Sequence, residues 1–215
     1  MKVNEIPLSL YIHIPWCIKK CPYCDFNSYA AQEKIPEADY IERLITDLKF
    51  DLPLAFGRRI KSIFFGGGTP SLFSPRGIER ILDIAASFLI LEPNIEITLE
   101  ANPGTVEHKL FSDYRKAGVN RISLGAQSFQ ESQLKRLGRI HQASETQRAI
   151  EDILQANFKS YNIDLMYGLP EQTVEDALFD LKTALDFSPS HLSWYNLTIE
   201  PNTIFHQKRP ALPPR

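Results

Sequence analysis

All three cysteines of the 215-residue chain lie in one short stretch. Cys17, Cys21 and Cys24 are separated by three and then by two residues, directly after the largely apolar run Tyr11-Ile-His-Ile-Pro. Thiols at this spacing, on a loop that leaves a strand, can point towards a common centre, and thiolates bind zinc and iron–sulfur clusters. The stretch therefore predicts a metal or iron–sulfur centre held by these three side chains.

The number of ligands separates the kinds of site that three cysteines can form. A structural zinc ion normally takes four protein ligands, whereas an iron–sulfur cube held by three cysteines leaves one iron free for a small molecule. A zinc site would need His13 as its fourth ligand, but a residue in the middle of a strand holds its side chain on one strand face. A cluster is the favoured interpretation, and zinc, ordinary buried cysteines and a single disulfide are its alternatives.

Composition argues against several other classes of function. The net charge of −2 gives no reason to expect a nucleic acid or an anionic membrane as partner. The sequence shows no signal peptide and no long apolar run, so we expect a reducing cytoplasmic environment, in which the cysteines stay thiols. The length and the ordinary apolar content predict one domain over residues 1–215, with the barrel over about residues 8–200.

The spacing C-x3-C-x2-C after a strand resembles the radical S-adenosylmethionine (SAM) superfamily. The surrounding segments, Tyr11-Ile-His-Ile-Pro-Trp-Cys17 and Cys24-Asp-Phe-Asn, are similar to the HemW-like haem chaperones. That family is related to oxygen-independent coproporphyrinogen III oxidase, and the resemblance runs from about Leu8 to the end of the chain. It implies a [4Fe–4S] cluster on the three cysteines, SAM on the cysteine-free iron, and a reductant such as flavodoxin or ferredoxin that supports reductive SAM cleavage.

A glycine run, Gly66-Gly-Gly-Thr69-Pro70, ends the second predicted strand and is a weak signal by itself, because it also fits a simple turn. Together with the cysteine loop it resembles the superfamily's GGGTP motif, whose backbone binds the amino group of SAM. The family pattern extends to further cofactor contacts and requires no side chain as a general base. The SAM contacts that the resemblance implies are Tyr11, Tyr23, Gly67, Gly68, Thr69, Glu100, Gln127, Arg139 and Asp164.

Strands and helices alternate along the chain, which predicts a parallel sheet with helical crossovers. Six strands suit a partial (β/α)6 barrel of the TIM-like α/β class. The predicted strands are Ser9–Pro15, Ile60–Phe65, Glu96–Ala101, Arg121–Ser128, Tyr161–Tyr167 and Leu192–Ile199. The predicted helices are Pro36–Asp51, Pro75–Phe88, Val106–Ala117, Ser132–Leu137, Ser144–Ala156 and Asp176–Phe187.

Several strands carry polar side chains on one face, unlike the apolar lumen of an ordinary closed barrel. In the third predicted strand Glu96, Thr98 and Glu100 alternate with apolar residues, and the next two strands follow the same pattern. If helices cover the apolar faces, the polar groups line the interior and need partners there. The alternatives are a sheet whose polar face meets water, a helix-capping role for Glu100 and a solvated position for Arg139. Four of the implied SAM contacts share the polar face: Tyr11, Glu100, Gln127 and Asp164.

Two functions of different classes fit the resemblance. One is a haem chaperone that binds haem and delivers it to haemoproteins, and the other is an oxidase that decarboxylates coproporphyrinogen III. The pattern that the resemblance implies for the oxidases is C-x3-C-x2-C-x-C, with an additional cysteine two residues after the third. Phe26 stands at that position here, which favours the chaperone. Oxidase activity is therefore not expected, and a metal-stabilised α/β fragment without activity is the third alternative.

The resemblance places the haem ligands outside this chain. HemW-like proteins carry an H-N-x-x-Y haem motif in a C-terminal region, and Lys208 to Arg215 follow an apparent strand without it. An uncovered last strand predicts exposed apolar side chains such as Leu192 or Trp194, lower solubility than a longer chain and weak haem binding. None of the five histidines begins the motif: His13, His108, His141, His191 and His206.

Overall fold

The computed structural model describes residues 6–31, 34–55, 57–104 and 110–214. Its strands are β1 (Leu8–Ile14), β2 (Trp16–Cys17), β3 (Tyr29–Ala30), β4 (Arg59–Gly67), β5 (Ile90–Ala101), β6 (Arg121–Gln127), β7 (Ser160–Tyr167) and β8 (His191–Asn196). Its helices are α1 (Glu37–Ala55), α2 (Pro75–Phe88), α3 (Phe111–Lys116), α4 (Glu131–Arg136), α5 (Ala143–Gln155), α6 (Val174–Asp186) and α7 (Ile204–Gln207). The predicted helix start at Val106, together with His108 and Arg215, lies outside the described residues.

Six of the strands form one parallel sheet in the order β1-β4-β5-β6-β7-β8, so each strand pairs with the next one across a crossover. The two shortest strands, β2 and β3, pair with each other at the base of the cysteine loop. This topology confirms the partial (β/α)6 barrel. The carboxyl ends of parallel strands meet at one edge of the sheet, where binding sites of such folds are built.

The third strand of the sheet begins earlier than predicted. β5 starts at Ile90, six residues before the predicted start at Glu96. Its pairing with β4 passes from Ile60↔Leu91 directly to Ser62↔Glu96, so extra residues bulge out of the ladder. Pro93 lies within this bulge, and proline has no N–H to donate to a sheet ladder. The sequence pattern identified only the regular part of the strand.

The larger of two apolar core clusters holds α2 and α5 against one face of the sheet. Ile63 of β4, Leu99 of β5 and Ile122 of β6 are fully buried and share this core with Ile78 of α2 and Ile150 of α5. Because side chains alternate across a strand, the remaining residues of these strands point to the opposite, inner face. The core thus fixes which side chains reach the barrel interior.

The inner face is polar, and much of it is shielded from solvent. Thr98, Ser123, Asn162 and Gln127 each expose at most 7% of their surface. The Asn162 side chain donates to Ser123 Oγ at 2.9 Å, so these buried groups have partners. This burial argues against the alternative of a polar sheet face in open water.

The last strand and the last long helix expose apolar surface. Trp194 of β8 is 41% exposed and packs its ring against Tyr167, whereas Leu192 is half-buried. On α6, Val174, Leu178 and Phe179 are exposed as well. Among the described residues, no helix has both the length and the apolar character that crossing a membrane requires.

Candidate functional site

A cavity of about 510 Å³ opens beside the cysteine loop at the carboxyl ends of the strands. Its volume lies in the range of small-molecule sites, about 300–1,000 Å³. Most of the residues that the sequence implicated line it. They are Cys17, Cys21, Cys24, Tyr23, Gly67, Gly68, Thr69, Glu100, Gln127, Arg139 and Asp164.

The cysteine loop is held at both ends by backbone hydrogen bonds. Tyr29 N donates to Pro15 O, and Ala31 N donates to Cys17 O, each at 2.8 Å. Within the loop, the Lys20 ammonium donates to the carbonyl oxygens of Phe26 and Ser28. A cation that satisfies two carbonyls of the same loop restricts its shape, so the three thiols are presented from a defined backbone rather than from a free loop.

The glycine run packs directly against the start of the cysteine loop. Gly68 N donates to Ile14 O at 2.8 Å, and Thr69 N donates to Trp16 O at 2.7 Å. A Cβ on Gly68 would stand 2.6 Å from the Trp16 carbonyl oxygen, so no larger residue fits without displacing backbone. The run therefore has a structural role in positioning the thiols, in addition to lining the cavity.

The N–H groups of this run are already used, because Gly67 N donates to Glu100 Oε2 at 3.2 Å, while Gly68 N and Thr69 N donate to the cysteine loop. A ligand beside Gly67, Gly68 and Thr69 therefore meets backbone carbonyl oxygens rather than free N–H groups, which suits a hydrogen-bond donor. An amino group has this character. The donor pattern fits the role that the resemblance implies for Gly67, Gly68 and Thr69.

His13, the fourth ligand that a zinc site would need, is engaged elsewhere. Its Nε2 lies 2.8 Å from Asn27 O, and its Nδ1 lies 2.9 Å from the Tyr11 hydroxyl. Within the described chain, no three His, Cys, Asp or Glu side chains surround a single metal-ion position. A cube spreads its cysteine ligands over separate iron atoms, so its thiols need not converge on one point. In this arrangement His13 supports the cysteine loop.

The two tyrosines of the implied SAM site have different surroundings. Tyr23 lines the cavity, and its ring lies 6.2 Å from that of Phe205 in α7, a helix that the sequence analysis did not predict. Tyr11 does not line the cavity. It is 56% exposed at the edge of the sheet and stacks on Phe64. Of the implied contacts, Tyr11 alone is not brought to the cavity.

Two carboxylates, Glu100 and Asp164, face the same cavity. Burial raises the pKa of Glu100 to about 7, the charge of Asp164 adds to this rise, and the Gly67 N–H opposes it. Burial also raises the pKa of Asp164, against hydrogen bonds from Ser123, Ser193 and Asn162. The Glu100 carboxylate accepts from Gly67 N in β4, which argues against the alternative that it caps a helix.

The Glu100 pKa predicts that the ligand-free chain loses stability as the pH rises. Between an unfolded pKa of 4.5 and a folded pKa of about 7 the folded state holds the extra proton, so the free energy of unfolding falls with rising pH through this interval. Glu100→Gln removes the ionisation, so its free energy of unfolding should exceed that of the unmodified chain by about 3 kcal/mol at pH 8 and by little near pH 4.5. Urea unfolding at both pH values measures this, with Glu151→Gln on the exposed face of α5 as the control. A pH-independent difference would contradict it.

Arg139 lies within the cavity wall rather than in open solvent. Its guanidinium donates to Asn102 Oδ1 and to Gly125 O, the latter at 3.0 Å, and lies 3.5 Å from Cys21 Sγ. Its Nε is buried without a protein partner, which leaves one donor for an acceptor such as a carboxylate. These contacts argue against the alternative that Arg139 is a solvated cation at a helix end.

Sequence reasoning missed several residues that shape this site. Asn102 joins the glycine run to Arg139, because its Nδ2 donates to Thr69 Oγ1 at 2.8 Å while its Oδ1 accepts from Arg139. Tyr195 lines the cavity and bonds Gln127. Asn102 lies two residues after Glu100, and Tyr195 lies two residues after Ser193. Residues two apart in a strand share a face, so the same period-two analysis could have identified both.

The residues present fit a cluster and SAM. Three thiols share one cavity wall with the Arg139 cation, the glycine backbone offers acceptors to an amino group, and Glu100 and Asp164 add two acceptors. Two carboxylates in one cavity suit a ligand with positive charge, because each raises the cost of ionising the other. SAM carries a sulfonium and an amino group beside a carboxylate that Arg139 can bind.

The sequence matches the family model described as the Radical SAM superfamily over residues 11–181. Among curated proteins, the haem chaperone HemW of Escherichia coli strain K12 is 56% identical over 207 residues, which cover 96% of this chain and 55% of that protein. The mouse protein named radical S-adenosyl methionine domain-containing protein 1, mitochondrial, is 40% identical over 91% of this chain and 44% of its own length. The chain thus spans about half the length of these relatives.

Among solved structures, coproporphyrinogen III oxidase (HemN) from Escherichia coli, described as a radical SAM enzyme, has a TM-score of 0.86 and 30% identity. The match covers 98% of this chain and 49% of that one. The family match covers most of the chain and includes all three cysteines, the glycine run and strands β4 to β7, whereas β8 lies beyond it. This chain belongs to the radical SAM superfamily.

Proposed function

We propose that this chain is the cofactor-binding core of a haem chaperone, which binds haem and delivers it to haemoproteins in the cytoplasm. The observation that carries the proposal is the 56% identity to a haem chaperone over nearly the whole chain, against 30% to the oxidase of the same fold. Phe26 supports the same choice, because it stands at the position of the additional cysteine in the oxidase pattern.

Superfamily membership implies a [4Fe–4S] cluster and SAM, and an electron donor to reduce the cluster. We assign Cys17, Cys21 and Cys24 as the cluster ligands and the cavity they border as the SAM site, within a core over about residues 8–200. When bound, the two cofactors supply reductive cleavage of the sulfonium. The chain's own residues bind and orient SAM and exclude water from it.

The ring nitrogens of His13 and His141 are poorly placed to bind haem iron. Both ring nitrogens of His13 have protein partners, and buried His141 has its Nε2 3.2 Å from Ala126 O. Burial, together with the charge of Arg139, lowers the pKa of His141 to about 3. Only 5% of this residue is exposed, so its ring does not face an incoming haem. That haem binds elsewhere in the family's longer proteins stays a prediction.

The function is tested by separating haem binding from oxidase activity. We expect cluster-reconstituted chain to convert no coproporphyrinogen III in the presence of SAM and a reductant, and to bind haem only weakly by Soret absorbance. A version carrying the family's haem-motif region should bind haem tightly. Decarboxylation of coproporphyrinogen III would favour the oxidase, and tight one-to-one haem binding by residues 1–215 would make His13 and His141 the ligands to mutate.

A further inference from the structure

The inner face of β8 carries three polar side chains. His191, Ser193 and Tyr195 alternate with Leu192 and Trp194, so they share the face that borders the cavity. His191 and Ser193 contact the amide oxygen of Asn162 on the neighbouring β7, and Tyr195 contacts that of Gln127 at the end of β6. The last strand of the sheet therefore places a row of hydrogen-bonding groups against amide groups of the site.

Tyr195 contacts Gln127, one of the implied SAM contacts. Its hydroxyl lies 2.6 Å from Gln127 Oε1 and donates to it. Gln127 ends β6 with a φ of 66°, in the left-handed region, and the pairing of β6 with β7 shifts register just before it. A non-glycine residue in this region costs about 1 kcal/mol or more, and such strain persists where the surroundings hold it. Here the turned backbone keeps the amide within the cavity wall.

The orientation of the Gln127 amide follows from its two neighbours. Its Oε1 meets the Tyr195 hydroxyl. Its Nε2 lies on the side of Gly125, 3.0 Å from the point where a Cβ on Gly125 would stand, and Asn102 Oδ1 lies 3.1 Å from the same point. A tyrosine hydroxyl can donate or accept, so the nearby acceptor Asn102 Oδ1 is what favours the amide nitrogen on the Gly125 side. The Tyr195 hydroxyl then holds the amide by its oxygen.

Asn162 shows the same arrangement one strand away. Its Oδ1 meets His191 Nδ1 and accepts from Ser193 Oγ, the latter at 3.1 Å. Its Nδ2 consequently faces inward and donates to Asp164 Oδ1 at 2.7 Å. Groups on β8 thus fix both amides by their oxygens, which keeps Asp164 an acceptor and leaves the Gln127 nitrogen as a donor.

We propose that Tyr195 is a positioning residue that fixes the Gln127 amide with its nitrogen towards the ligand, so that Gln127 donates to an acceptor atom of SAM. The proposal rests on the proposed SAM site. An amide has two orientations of nearly equal shape, and only the pattern of donors and acceptors distinguishes them. Without the hydroxyl, the amide oxygen loses its anchor, so the side chain can turn and take its nitrogen away from the ligand atom.

A double-mutant cycle tests whether Tyr195 acts through Gln127. Tyr195→Phe should weaken SAM binding to the cluster-reconstituted chain about 3- to 10-fold, the size of one neutral hydrogen bond. In a Gln127→Ala background the same substitution should change the affinity less than about 2-fold, because residues in one network are not additive. A side chain with only a structural role would give the same loss in both backgrounds.

Tyr161→Phe is the matched control, because it also removes a hydrogen-bonded tyrosine hydroxyl. This hydroxyl donates to Phe187 O at 2.6 Å, and neither residue lines the cavity. It should leave SAM binding unchanged. Equal losses for Tyr195→Phe with and without Gln127, or no loss at all, overturn the inference, while SAM binding by the unmodified chain upholds the proposed SAM site. Failure of the unmodified chain to bind SAM overturns both.

Discussion

Anaerobic reconstitution of the unmodified chain should yield about four iron and four sulfide ions per chain, and alanine at Cys17, Cys21 or Cys24 should abolish this uptake. These are the only cysteines in the sequence, so no other thiol can replace a lost one. Two remaining thiolates cannot hold a cube that three hold with one iron free. Iron and acid-labile sulfide analysis, together with the visible absorption of the reconstituted protein, measures the outcome.

Ser28→Ala is the matched control for the cysteine variants. Its hydroxyl lies 4.0 Å from Cys24 Sγ, so the substitution alters the surroundings of a thiol without removing a ligand. We expect it to assemble the cluster, with at most a small change in stability. Stoichiometric zinc without sulfide in the unmodified chain, or full iron content in any of the three alanine variants, would refute the assignment.

The second large effect is expected at the two acids of the cavity. Asp164→Ala and Glu100→Ala should each weaken SAM binding about ten-fold or more, because a lost hydrogen bond to a charged group costs about 1.5–3 kcal/mol. Asp164→Ala has a further cost, since it removes the acceptor of the Ser123 hydroxyl and one of the two acceptors of the Asn162 amide nitrogen. Equilibrium dialysis or calorimetry on the cluster-loaded chain under anaerobic conditions gives the affinities.

Asp164→Asn separates charge from shape at this position, because it keeps the size of the side chain and removes the negative charge. Asp186→Ala, at the exposed end of α6, is the control for a general change in charge. It should bind SAM like the unmodified chain. Unchanged affinity in both Asp164→Ala and Glu100→Ala would show that SAM does not occupy this cavity as proposed.

The fold was largely predictable because the pattern that reveals it is local. Period-two and helical periodicities mark each strand and helix, and the handedness of crossovers leaves few topologies for such an alternation. The prediction failed where a segment has no regular period, at the start of β5 and at α7. The bulge around Pro93 hid the start of β5, and the single turn of α7 has too few residues for a periodic signal.

The sequence by itself determined the cluster motif, the glycine run and the polar strand faces, because adjacent residues and fixed spacings carry that information. Only the tertiary structure decided how these parts meet. It joins Asn102 to both Thr69 and Arg139, places Tyr11 at the sheet edge, and sets Tyr195 against Gln127. Contacts between residues tens of positions apart depend on strand register and side-chain packing, and a single sequence does not state these.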